Sequence, residues 1–257
     1  MSLTKQRHTI YKKKNMKNNI HSKDITPKQQ EIIRFLSVYT LLTSTQTQAL
    51  LQHKNHKRSA TWLKDLTKKG YLQELPFKRN TAKIFCLQNK RVASKNISLL
   101  TIDRYLLIVD IFLHLQKDAG ANVKFFTQIT MPQEIEIITP DAYFIYKSKR
   151  KEKTYFLELD RETQSLSVMK KKFEKYSKYY YAKHWKQFTP VYFPAVCVVS
   201  VTKERKEKLV ELVEELFNTS KFAPIVFKFT TIDEFLTQGS HAEICLVPFE
   251  KEMYGVL

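Results

Sequence analysis

The sequence predicts an α/β (α+β) protein in two parts, a winged helix-turn-helix followed by an α/β sandwich around a mixed sheet. Three observations support this prediction. Three short helical patterns precede two strand-like runs in the first part. Helical and strand-like segments then alternate through the second part. Nearly all of the net charge of +19 lies in residues 1–98, which carry 21 Lys and Arg against 4 Asp and Glu.

The uneven charge predicts that the N-terminal part holds a polyanion, because a merely well-solvated surface would spread its lysines more evenly. Residues 1–24 contain seven basic residues, one acid and few apolar residues, which is typical of a disordered basic arm. Residues 25–90 are expected to form the winged helix. Thr26 and Pro27 indicate the start of its first helix, and Gly70 indicates the end of its third.

Apolar residues recur at helical spacing in the first and third of these helices, which predicts one buried face on each. These residues are Ile32, Leu36, Tyr39, Ala60, Leu63 and Leu66. The second helix, within "TSTQTQALLQ", is expected to be capped by Ser44 or Thr45.

The third helix carries a basic stripe on the face opposite its leucines, with side chains at positions i, i+4, i+7 and i+11. Two strand-like runs follow it and flank a polar tip at residues 77–80. A helix with such a stripe suits the major groove of DNA, and a basic wing tip suits the adjacent backbone or minor groove. We therefore expect double-stranded DNA to be bound by seven side chains: Lys57, Arg58, Thr61, Lys64, Lys68, Lys78 and Arg79.

Composition excludes several other classes of protein. There is no apolar run of about 18 residues, so no membrane span or membrane partner is expected. The N-terminus lacks the apolar segment of a secretory signal. Cys86, Cys197 and Cys245 lie apart in apolar runs, which is typical of buried thiols in a reducing compartment. These features predict a cytoplasmic protein.

Residues 99–257 are expected to form the second domain. The run "NISLLTIDRYLLIVDIFLHLQKDAG" predicts a long, largely buried helix. Strand-like runs follow near 123–130, 134–138, 142–147 and 154–160, and then helix, strand, helix, strand and a last strand within "AEICLVPF". This order predicts helices packed on a mixed sheet.

Three carboxylates lie at the ends of two of these strands. Asp141 precedes one strand, and Glu158 and Asp160 end the next. The spacing of two sends Glu158 and Asp160 to one face of their strand and Leu157 and Leu159 to the other. If the two strands are neighbours, the three carboxylates converge, and converging anions need a cation. Hard oxygen ligands favour Mg²⁺ or Mn²⁺, which would lower the pKa of bound water and neutralise charge on a phosphate.

Other interpretations of these residues remain open. The acids could instead form a salt-bridge network with Arg161 and nearby lysines. The run Tyr179 to Tyr181 could hold a nucleophile, although packing is the more common role of aromatic residues on a helix. No His-x-His triplet occurs, which argues against a rolling-circle type of relaxase.

The pattern Pro-Asp followed by Glu-x-Asp resembles the PD-(D/E)XK nuclease superfamily, whose core has the same order of helix, strands, helix and strand. The resemblance implies a restriction-endonuclease-like fold and a metal site made by Asp141, Glu158 and Asp160. The family usually places a catalytic lysine where this chain has Asp160. The candidate replacement is Lys172 on the following helix, whereas Lys170 and Lys171 are less well placed.

A second resemblance covers most of the chain. The winged helix, "PDAYF", "YFLELDRETQS" and "KKKFEKYSKYY", then "VVSVTKERKEKLVELVEEL" and "FTTIDEFL", are similar to the replication-relaxation family of plasmids and mobile elements. The resemblance implies plasmid DNA processing in replication, relaxation or conjugative transfer. Expected partners are an origin-type DNA site, and a second copy of the chain or replication and transfer proteins.

Two classes of function therefore stay open. One is a metal-dependent nuclease or nickase with Asp141, Glu158, Asp160 and Lys172 as its catalytic residues. The other is a non-catalytic accessory factor or repressor whose degenerate nuclease-like domain serves folding or dimerisation.

Overall fold

The protein was analysed as a computed structural model, which describes residues 24–88, 97–119, 122–127, 138–147, 152–187, 192–219, 221–238 and 245–246. The basic arm expected at residues 1–24 lies outside these ranges except for Asp24. The strand expected near 134–138 lies outside them except for Ile138, which is in no strand.

Three helices and a small sheet make up the first part of the described chain, and the sheet has the strand order β1-β3-β2. The elements are α1 (Pro27–Tyr39), β1 (Leu41–Thr43), α2 (Ser44–Leu50), α3 (His56–Lys68), β2 (Leu72–Arg79) and β3 (Ala82–Leu87).

Local sequence explains where these helices begin and end. Thr26 caps α1 with its hydroxyl and forms a reciprocal capping box with Gln29, while Pro27 occupies the first turn. Thr43 caps α2 in the same way, one residue before the expected Ser44 or Thr45. Gly70 adopts a φ of 75°, which only glycine adopts without strain, directly after α3.

The turn between β2 and β3 differs from the expected polar tip at 77–80. β2 continues through Arg79, and the turn consists of Asn80 and Thr81, whose φ angles are 48° and 67°. Two consecutive positive φ angles match the twist that a two-residue hairpin needs, so the hairpin expected to form the wing is longer and its tip is later in the chain.

The second part of the described chain contains a six-stranded sheet with the order β4-β5-β6-β7-β8-β9. Its elements are α4 (Leu99–Ala119), β4 (Val123–Thr127), β5 (Ala142–Lys147), β6 (Glu152–Asp160), α5 (Leu166–Tyr181), a 3₁₀ turn (His184–Gln187), β7 (Ala195–Ser200), α6 (Lys203–Phe217), β8 (Phe227–Thr231), α7 (Ile232–Gln238) and β9 (Cys245–Leu246).

This sheet is mixed, as the sequence predicts. β4, β5 and β6 are antiparallel, β6, β7 and β8 are parallel, and β9 is antiparallel to β8. The helices α5 and α6 connect the parallel strands and cover one face, while α4 and α7 cover the other. The fold is therefore an α/β sandwich with a mixed sheet.

Helix α4 is packed against both parts of the chain. Leu106 and Val109 contribute to the clusters of the first part. Leu107 and Ile111 contribute to the cluster beneath the large sheet. Helix α4 begins at Leu99, where the second domain was expected to start, and residues of both parts pack against it. None of the helices that the structure describes is long and apolar enough to span a bilayer.

Candidate active site and DNA-binding surface

The register of β5 and β6 places Asp141 beside Glu158. Ala142 pairs with Leu157, and the Asp141 N–H donates to the Leu157 carbonyl at 2.9 Å. The Leu159 N–H in turn donates to Asp141 Oδ2 at 2.8 Å, which fixes this carboxylate at the end of β6. Asp141 directly precedes β5 and Glu158 lies near the end of β6, so the two carboxylates lie at the same edge of the sheet.

The expected alternation along β6 is present. Leu157 and Leu159 face α4 and α7, and the preceding Phe156 packs on the opposite face among α5 and α6. Glu158 and Asp160 lie on the Phe156 side, where their partners come from α5 and α6. Both acids are almost completely buried.

Glu158 is held by two side chains of α5. The Tyr176 hydroxyl donates to Glu158 Oε1, and Lys172 Nζ forms an ion pair with Oε2. Burial raises the pKa of Glu158 above its usual value, Lys172 opposes this increase, and the nearby Asp141 carboxylate adds to it. Lys172 thus occupies the position that the sequence predicted for it, next to the carboxylate and on the sheet-facing side of α5.

Asp141 has a different cationic partner. Arg104, on α4, donates to Asp141 Oδ1 at 2.6 Å through its Nε, and its Nη2 lies at the same distance. The Arg104 side chain is 38% exposed, so its guanidinium reaches both the carboxylate and solvent. Arg104 was not predicted from the sequence, because it lies 37 residues from Asp141 in the chain and belongs to no recognisable motif.

Asp160 departs from the prediction that it would converge with the other two acids. Its Oδ2 accepts from Arg205 Nε at 2.5 Å and its Oδ1 from Arg205 Nη2 at 3.3 Å. Among the residues that the structure describes, no three His, Cys, Asp or Glu side chains form a group suited to a metal ion. The reason is physical: the carboxylate meets a guanidinium from α6, which neutralises it without a metal.

The three acids form salt bridges, but with partners other than the expected Arg161. Arg161 Nη2 lies 3.5 Å from Asp103, and the partners of the three acids are Arg104, Lys172 and Arg205 instead. Arg205 also donates to the Gln164 carbonyl at 2.7 Å, so it ties the end of β6 to the segment that precedes α5. Of the three tyrosines at the end of α5, Tyr179 is buried and Tyr181 is 55% exposed.

The donor set at this edge fits one kind of metal site. Asp141 and Glu158 supply two neighbouring carboxylates, and Mg²⁺ in proteins commonly takes one or two carboxylates and completes its shell with water and phosphate oxygens. The two acids therefore suit a divalent cation that is shared with a phosphate substrate. They do not suit a cage made of protein ligands alone, because Asp160 is engaged by Arg205.

Clefts open on both sides of these carboxylates. One, of about 300 Å³, lies beside Glu158 and is bordered by residues of α5 from Val168 to Tyr176. A second, of about 230 Å³, is lined by Arg104, Asp160 and Arg161. Gln164 lines both, so the two clefts meet at the segment between β6 and α5.

The basic stripe of α3 lies on the surface. Its five expected DNA-binding side chains, Lys57, Arg58, Thr61, Lys64 and Lys68, are all exposed. Leu63 and Leu66 are buried on the opposite face, together with Ser59, whereas the expected Ala60 is only half-buried. Arg58 lies over the Trp62 ring, with its guanidinium carbon 5.3 Å from the ring centre.

The two basic residues of the wing have different surroundings. Lys78 is exposed, as expected for a residue that contacts phosphate. Arg79 departs from that expectation, because its guanidinium forms an ion pair with Asp110 of α4 at 2.5 Å. Asp110 also accepts from Gln46 Nε2 of α2 at 2.6 Å. Arg79 therefore joins the wing to α4.

The order of α4, three antiparallel strands, α5 and a parallel strand is the order that the sequence predicts for the second part, and Asp141 directly precedes β5 beside Glu158 of β6. The replication-relaxation family model matches residues 100–194, which confirms the expected resemblance over that part of the chain.

Solved structures similar to this chain include two of the restriction endonuclease FokI. The free enzyme has a TM-score of 0.32, 12% identity, and coverage of 81% of this chain and 42% of its own. The enzyme bound to DNA has a TM-score of 0.30, 12% identity, and coverage of 81% and 43%. This chain thus matches less than half the length of either. A search of the curated proteins finds no match.

Proposed function

We propose that this chain is a DNA-processing protein of a plasmid or mobile element, which binds duplex DNA through the winged helix of residues 25–90 and nicks or cleaves a strand at a metal-dependent site. The observation that supports the proposal is that Asp141, directly before β5, lies beside Glu158 of the adjacent β6, and that Lys172 is ion-paired to Glu158. These are the residue types that phosphodiester hydrolysis with a divalent cation requires.

Asp141 and Glu158 would hold Mg²⁺ or Mn²⁺, which supplies a water of lowered pKa and neutralises charge on the phosphate. The protein fixes both carboxylates before substrate arrives: the Leu159 N–H holds Asp141, and the Tyr176 hydroxyl holds Glu158. Lys172, which is ion-paired to Glu158, would donate to a phosphate oxygen or to the attacking water. Asp160, through Arg205, positions the segment that leads into α5.

Metal-dependent nicking of supercoiled plasmid, preferably with the cognate origin, tests the proposal. We expect nicked or linear product with Mg²⁺ or Mn²⁺ and none with EDTA. Glu158→Gln and Asp141→Asn should each reduce nicking about 100-fold or more, because they remove charge at the reacting phosphate. Glu174→Gln, a change on α5 away from the cleft, is the control and should keep activity. Absence of metal-dependent product on cognate DNA would contradict the nuclease function.

A specific observation favours the second candidate function, a non-catalytic replication or transfer factor or a repressor. Each of the three acids has its own cationic partner, so the site is electrostatically balanced without a metal. On this alternative the second domain supports folding or dimerisation, and the winged helix alone carries the function. DNA binding without cleavage on cognate DNA, and no effect of Mg²⁺ on stability, would favour it.

A further inference from the structure

Helix α5 carries two lysines that the proposed chemistry leaves unused. Lys171 and Lys175 are exposed, lie four residues apart on one face, and line the cleft beside Glu158. Like charges at this spacing are neighbours on a helix and repel each other. Among the described residues, neither lysine forms an ion pair with an acid within 4 Å.

The charges in this cleft do not balance. Among the residues that the structure describes, its lining holds three lysines and one carboxylate, Glu158. Because Lys172 neutralises Glu158, the charges of Lys171 and Lys175 are left over. The first turn of α5 also borders the cleft through Val168, and helix N-termini carry partial positive charge. Gln164 and Thr139 add polar side chains to the walls.

We propose that Lys171 and Lys175 form a subsite for a backbone phosphate of the DNA strand, next to the phosphate that reacts at Asp141 and Glu158. The inference rests on the proposed function for the identity of the ligand. Lysine binds phosphate as a flexible point charge, and two lysines that form no ion pair within the described residues give the cleft a positive charge that attracts the single negative charge of a phosphodiester. The subsite would orient the strand across the edge of β5 and β6.

The test measures DNA binding in EDTA, so it does not depend on cleavage. The background protein for this test is the full chain with Lys57→Ala, Lys64→Ala and Lys68→Ala. These changes remove the strong DNA binding that is expected from α3. Anisotropy of a short fluorescein-labelled duplex is then followed across a salt series for this background and for the same chain with Lys171→Ala plus Lys175→Ala. The matched control is Lys170→Ala plus Lys208→Ala, which removes equal charge from exposed positions outside the cleft.

We expect the Lys171 and Lys175 changes to reduce the slope of log K against log salt by about 0.9, the value for one lost phosphate contact on duplex DNA. The control should keep the background slope. Thermal melts should match across all variants, since these lysines are exposed. Equal slopes for the two double variants would overturn the subsite, whether or not the protein cleaves DNA.

Inorganic phosphate separates DNA from a free anion as the ligand. Phosphate could raise the melting temperature of the background protein and not that of the Lys171 and Lys175 variant. If DNA binding is then the same in this variant and in the control, the cleft binds a free anion and the DNA assignment fails. If wild type does not cleave but the slope still falls as expected, the subsite stands and the nuclease function fails.

Discussion

At the scale of single residues, the edge of β5 and β6 is a set of buried acids, each matched to a cation. Glu158 is completely buried, and burial is the main cause of its raised pKa. A buried ion pair is stabilising only when the attraction and hydrogen bonds offset the cost of removing both charges from water. Such a costly arrangement is common at functional sites, where perturbed pKa values cluster.

Thermal melts distinguish a metal site from a structural ion pair. In EDTA we expect Glu158→Gln to melt above wild type, because glutamine keeps an acceptor for Tyr176 and removes a buried charge. Mg²⁺ should raise the melting temperature of wild type by several degrees, since a ligand at about 100 times its Kd stabilises by about 2.7 kcal/mol. The variant should not respond.

The control for these melts is Glu174→Gln, on the same helix and outside the cleft, which should respond to Mg²⁺ as wild type does. A variant that melts below wild type in EDTA, together with a wild type that ignores Mg²⁺, would identify Glu158 as a structural partner of Lys172 instead.

The sequence was enough to predict that Lys172 lies near Glu158, but not to find the partners of Asp141 and Asp160. Lys172 was found because its neighbours Met169, Phe173 and Tyr176 have helical spacing, which identifies the buried face of α5. Arg104 and Arg205 were missed as partners of Asp141 and Asp160. They lie 37 and 45 residues from these acids, and only the packing of α4 and α6 on the sheet brings them together.

At the scale of elements, periodicity and capping were enough to predict most helices and strands. Thr26, Pro27 and Gly70 marked ends of α1 and α3 because caps and breakers act locally. The turn was predicted at residues 77–80 and lies later, at Asn80 and Thr81, because β2 continues through Lys78 and Arg79, whose pairing with β3 overrides their weak strand preference.

The exposed lysines of helix α3 are expected to contact the DNA backbone. Lys57→Ala plus Lys64→Ala in the full chain should weaken duplex binding and lower its salt dependence by about one unit of slope for each lost contact. Both side chains are exposed, so stability should not change. Salt titrations of a labelled duplex measure the effect.

The comparison for α3 is Lys170→Ala plus Lys208→Ala, which removes the same charge from the second part of the chain. If this control weakens binding as much as the α3 variant does, DNA affinity comes from total charge and the role proposed for α3 is contradicted.

At the scale of the whole molecule, α4 joins the two parts into one structure. It places Leu106 and Val109 in the first part and Leu107 and Ile111 beneath the large sheet. The same helix supplies Asp110 to Arg79 of the wing and Arg104 to Asp141 at the candidate site. The β2–β3 hairpin and the acidic edge thus both contact the same helix.

This architecture predicts a single unfolding transition, which the two tryptophans can report. Trp62 lies on α3 and Trp185 lies in the second part, so Trp185→Phe and Trp62→Phe each leave one reporter. Their urea unfolding curves should coincide. Leu106→Ala should lower the free energy of unfolding from both curves equally, by about 2–5 kcal/mol for a buried leucine. Leu99→Ala, at a position that is 58% exposed on the same helix, should shift neither by more than about 0.5 kcal/mol. A Leu106→Ala shift in the Trp62 curve alone would mean that the two parts unfold independently and that α4 does not couple them.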